Sequence, residues 1–227
     1  KVANFIGVEF GKLASAYLPK MEADTIGEIQ DARDAGYLVE MFDLQTLKKY
    51  GFLTSENSTK NIVSRIKKFF NLKSLYDFAS DDLGRAFSRT KKTSNEKMRE
   101  FWIRSAYTQF ITINNNNHYN RKKLLEIIPK IKPYSRNEEY GITTVAKALF
   151  AVGVTVIYQP CLGKEQVRGA TLSINGKPCI VISDLGKKYP TLWFSLMHEL
   201  YHVLFDFEDI TKNCYHISSD YGDLMLT

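Results

Sequence analysis

Apolar positions along the chain follow two different periods, and the change between them divides it. Residues 61–70 carry Ile62, Val63, Ile66, Phe69 and Phe70 at helical spacing, with Lys67 and Lys68 between them on the solvent side. Thr54, Ser55 and Ser58 precede this run as candidate N-caps. Gly51 ends a shorter helix over 47–50, because glycine accepts the left-handed turn that stops one. A short helix is expected over 74–78, and a long one over 96–112 from Met98, Phe101, Trp102, Ala106 and Phe110. Helical patterns resume over 121–131 and 138–152, and Gly153 closes the second. The four asparagines of 114–117 read as a loop, since their side chains compete for backbone hydrogen bonds. Residues 1–40 hold Phe10-Gly11, Ile26-Gly27 and Gly36 but no clear pair of short helices with a recognition helix.

Beyond 153 the pattern shortens. The β-branched run at 154–159 ends at Pro160 and predicts a strand. Two more strands, 166–174 and 178–183, flank Asn175-Gly176, a pair that tolerates positive φ and makes tight hairpins. Pro190 then opens an apolar helix over 191–207, where its missing N–H does no harm. Trp193 and Phe194 are expected in the core of that helix's packing. Helices, then strands, then a helix predict an α+β fold. The division falls between a helical region, 1–136, and a second domain, 137–227.

Composition narrows the class. With 44% hydrophobic and 13% aromatic residues among 227, the chain has the material for a core and is not wholly disordered. No apolar run reaches the roughly 18 residues of a membrane span, and Lys147 and Gly153 interrupt the longest, at 146–157. Cys161, Cys179 and Cys214 are odd in number and lack metal-ligand spacing, which suits thiols in a reducing cytoplasm. The net charge of +6 is unevenly spread. Residues 1–136 hold 24 Lys and Arg against 15 Asp and Glu, whereas 137–227 hold 7 against 10. The basic half is either a solvated helical surface or a face for an acidic partner such as DNA.

One motif carries chemistry: His198-Glu199-Leu200-Tyr201-His202. The i, i+4 spacing puts both imidazoles on one face of a helix, where they can share a Zn²⁺ ion. Glu199, one residue along, is placed to act as general base towards an attacking water and to return the proton to the leaving amine. An unpaired carboxylate on so apolar a segment is costly, which argues against an ordinary amphipathic helix. The extended form HExxHxxGxxH is excluded, because Phe205 and Glu208 stand where it needs Gly and His. Candidates for a third ligand are Asp206, Glu208, Asp209, Cys214, His216, Asp220 and Asp223, of which Asp206 lies nearest the ligand face. His216 has a second possible role, donating a hydrogen bond to a developing oxyanion. The strand at 178–183 is the candidate edge for pairing with extended substrate, if it is not interior.

The segments Gly153-Val154, Val167-Arg168-Gly169-Ala170, 177–183 and 192–205 together resemble the ImmA/IrrE family of metallo-endopeptidases. The helices before them, from Leu47-Lys48-Lys49-Tyr50-Gly51-Phe52-Leu53 through 62–75, are similar to members fused to an XRE-type helix-turn-helix. The resemblance implies a zincin-like domain and a zinc-dependent, site-specific endopeptidase that cleaves a DNA-binding repressor. It also implies His198 and His202 as zinc ligands, with Glu199 as the general base. The family's third ligand is an acidic residue on a later helix, and nothing after His202 matches that stretch. The ligand is therefore expected beyond Thr227, the other reading being a degenerate site. DNA contact would require a helix-turn-helix upstream of this chain. The competing functional class is a regulatory or antitoxin-like module that binds protein or DNA through a non-catalytic peptidase fold.

Overall fold

The computed structural model describes residues 23–54, 58–79, 92–162, 167–185 and 188–219. The first part is helical: α1 (Ala23–Met41), α2 (Leu44–Lys49), α3 (Thr59–Phe70), a 3₁₀ turn (Leu75–Ala79), α4 (Ser94–Ile113), α5 (Arg121–Ile131), a second 3₁₀ turn (Lys132–Arg136) and α6 (Gly141–Ala151). Strands β1 (Thr155–Gln159), β2 (Val167–Ile174) and β3 (Lys177–Ser183) follow, then α7 (Tyr189–Phe205), α8 (Phe207–Asn213) and β4 (Tyr215–Ser219). The fold is mixed α+β. No described helix is long and apolar enough to cross a membrane.

Local chemistry explains most of the boundaries. Ser58 caps α3 by accepting from the Asn61 N–H, and Thr93 and Glu96 close a reciprocal capping box at the start of α4. Asn71 and Asn114 end α3 and α4 in the left-handed conformation that asparagine tolerates. Asn175 and Gly176, at φ 52° and 72°, form the tight turn between β2 and β3. Some elements differ from the sequence pattern, α8 among them. Residues 23–41 form one 19-residue helix that runs through Gly27 and Gly36; its buried apolar residues, Leu38 and Met41, lie near its end, so no stripe marks it. Residues 215–219, to which the sequence pattern gives no element, form β4.

Sheet order is β1-β3-β2-β4, with β1 parallel to β3 and the other pairs antiparallel. The strand at 178–183, offered above as a substrate-pairing edge, is thus interior, and the edges are β1 and β4. Strand alternation sends Ala170, Leu172 and Val181 to one face, against Trp102, Ile103, Ala106 and Phe110 of α4. Ile180 and Ile182 face the other way, into a core with Leu124 of α5, Leu149 of α6 and Trp193, Leu196, Leu200 and Val203 of α7. A third core, Leu38, Leu47, Ile62, Ile66 and Phe78 with Met98 and Phe101, fills the first helices. Helix α4 thereby belongs to two cores, its first turns to the helical one and its later turns to the sheet.

Candidate metal centre

Helix α7 is held at both ends. Pro190 sits in its first turn, and its last carbonyls are satisfied from outside: Tyr119 Oη donates to Val203 O at 3.1 Å, and Arg121 Nε donates to Leu204 O at 2.9 Å. The buried side of α7 lies on β2 and β3, and Trp193 is in that core as expected. Phe194 is not. It points outward, exposed, because residue 194 falls on the face opposite Leu196, Leu200 and Val203.

His198 and His202 are brought together as their spacing requires, with Nε2 atoms 3.1 Å apart. Two nitrogens bound at about 2.0–2.1 Å in a tetrahedral arrangement lie about 3.4 Å apart, so the pair fits a shared cation with a small adjustment. The far nitrogen of His202 is fixed as metal-binding imidazoles require. Its Nδ1 donates to the Asp206 carboxylate at 2.7 Å, which leaves the Nε2 lone pair facing His198. Asp206 was the nearest ligand candidate in the sequence, but its carboxylate is engaged on the wrong side of the ring to be one.

Glu199 points in the opposite direction from solvent and is fully buried. Thr171 Oγ1, on β2, donates to Glu199 Oε2 at 2.7 Å. Beside it, Gly169 provides the space: a Cβ there would stand 2.6 Å from Oε1 and 3.0 Å from Cδ and Cγ of Glu199. Neither residue stood out as functional in the sequence. Both lie about 30 residues before Glu199 and reach it only through alternation on β2.

His216 also arrives through the sheet. It pairs with Thr171 across β2 and β4, and cross-strand partners share a face. Its ring centroid lies 4.2 Å from that of His202, so three of the chain's four histidines gather on one side of the sheet. The other acidic candidates stand apart: Glu208 and Asp209 are exposed, and Asp209 pairs with Lys212 at 2.8 Å. Cys214 is half-buried at the turn into β4, and Asp220 and Asp223 lie outside the described residues. Among the described residues, no group of three His, Cys, Asp or Glu side chains is arranged to hold a metal. No disulfide joins the three cysteines, and burial pushes Cys161 and, much further, Cys179 up from the ordinary thiol range.

No protein-family model, curated protein or solved structure matches this chain.

Proposed function

We propose that the chain is the body of a zinc-dependent endopeptidase of the ImmA/IrrE type, with a zincin-like second half. The observation that carries this reading is the paired Nε2 atoms, 3.1 Å apart, with His202 oriented by Asp206 and a carboxylate one residue from His198. His198 and His202 would hold the zinc, and a third donor would come from outside the described residues. Bound there, zinc supplies Lewis acidity, polarising the scissile carbonyl and making water more acidic. Glu199 accepts the proton of the attacking water and passes it to the leaving amine. Thr171 holds the carboxylate in one orientation, and Gly169 lets it approach the sheet. By analogy with the family, the substrate is a DNA-binding transcription regulator in the cytoplasm.

The test is metal analysis and proteolysis with the full-length protein. One zinc per chain is expected, removable by chelation. Glu199→Gln should keep the metal and lower cleavage about 10²–10⁴-fold, the usual worth of a positioned general base. Cleavage unchanged in Glu199→Gln would remove the assignment. A metal-free protein that binds its partner equally well would favour the non-catalytic regulatory module instead.

A further inference from the structure

The outward face of α7 is aromatic where a surface helix is ordinarily charged. Phe194, Tyr201 and Phe205 are 57%, 49% and 60% exposed, and His198 lies among them, stacked on Phe194 at 6.0 Å. Their spacing of seven and four residues keeps all three on one side of the helix. Tyr201 touches Phe205 at 4.8 Å, and its ring meets His202 edge-on at 5.7 Å. The stripe therefore passes directly over the paired imidazoles. Arginines mark its two ends: Arg168 Cζ lies 5.8 Å over Phe194, and Arg121 Cζ lies 5.9 Å over Phe205.

We propose that this stripe is the substrate-docking surface, and that it takes an extended protein segment with large apolar side chains flanked by carboxylates; the inference rests on the peptidase reading above. Its length fits. Eleven residues of helix from Phe194 to Phe205 rise about 16 Å, the span of about five residues of extended chain. A segment laid along it puts alternate side chains on the rings and carries its backbone across His198. The terminal guanidiniums then meet acidic residues just outside the apolar stretch, which would exclude basic flanks.

The proposal is tested on full-length, zinc-loaded protein carrying Glu199→Gln, so that peptide is bound and not cut. The probes are two fluorescein-labelled dodecapeptides with the centre Leu-Ser-Phe-Ser-Leu, one flanked by glutamates and one by lysines, read by anisotropy. The glutamate-flanked peptide should bind at least about tenfold more tightly, with the difference shrinking as salt is raised. Phe205→Ser, exposed and with no side-chain atom that could ligate the metal, should weaken it by about tenfold, the cost of one aromatic anchor, with zinc content unchanged. Equal binding of both peptides, binding of neither, or binding unaffected by Phe205→Ser would overturn the proposal. So would a dimer in sedimentation that Phe205→Ser dissolves, which would make a second copy the occupant. If zinc is absent and wild-type protein cuts nothing, yet the peptides bind in the expected order, the peptidase reading falls and the docking surface stands. If cleavage is real but indifferent to Phe205, the surface falls alone.

Discussion

A carboxylate buried against a sheet needs both space and a donor, and β2 supplies one of each. Replacing Gly169 by Ala would put a methyl group within 2.6 Å of Glu199 Oε1, and the buried side chain would have to swing to escape it. On the peptidase reading, cleavage should fall at least about tenfold through the displaced base, while zinc binding stays intact because the three atoms nearest such a methyl all belong to Glu199. Kinetics and metal content measured on one preparation check both halves. Thr171→Val removes the donor to Oε2 without changing shape, leaving a buried carboxylate short of a partner. That should cost about 1–3 kcal/mol in urea denaturation. Asp206 orients His202 on the side of the proposed metal. Asp206→Ala frees the Nδ1 proton of His202, and zinc affinity should drop about 10–100-fold in competition with a chromophoric chelator. An unchanged affinity would show that the carboxylate does not orient the ring.

Elements decide which of these residues could be found in the sequence. His198, Glu199 and His202 were legible because one helical turn joins them, and Asn175-Gly176 because a hairpin turn is equally local. Thr171, Gly169 and His216 reach the site through strand register over 17 to 30 residues, and register depends on sheet order, which local pattern does not contain. The interior position of β3 and the edge position of β4 went unread for the same reason. Phe194 was misplaced because α7 is apolar on both faces, so hydrophobicity alone could not show which side was out. Capping, by contrast, is local and testable. Asp43 caps α2 by accepting from the Thr46 N–H at 3.0 Å, and Ser94 at the start of α4 also donates to it. Partial burial opposes its ionisation, but the hydrogen bonds from Ser94 and Thr46 outweigh it and hold the carboxyl below its ordinary value. A lowered folded value means this stabilisation is present above the unfolded carboxylate range and lost as pH falls through the folded one. Asp43→Ala should cost about 1 kcal/mol at neutral pH and flatten that acidic limb of the stability curve.

At the scale of the molecule, the question is whether the second half could stand without the first. The charge asymmetry puts a division near residue 136 and the change of period falls near 153, but packing crosses both. One face of the sheet is covered by Trp102, Ile103, Ala106 and Phe110 of α4, and Trp102 Nε1 also donates to Pro160 O at 2.8 Å. The Gln159 side chain ties the same helix to β1, donating to Trp102 O and accepting from Gln109 at 2.9 Å. On the other face, Leu124 and Ile131 of α5 share the core of α7. Each large side chain of this kind contributes about 1.5–3 kcal/mol on burial. Losing five of them would remove of order 10 kcal/mol, comparable with the entire 5–15 kcal/mol of a typical domain. A fragment spanning 137–227 should therefore not unfold cooperatively and should bind a hydrophobic dye, whereas one beginning at Lys92 should recover a sigmoidal transition. The histidines proposed to hold zinc share this dependence. They sit on α7, whose position is set by the sheet and by Tyr119 and Arg121, so the shorter fragment should also lose its metal. If 137–227 alone folded and held zinc, α4 would be a cover for a self-sufficient domain and not the shared wall of two cores.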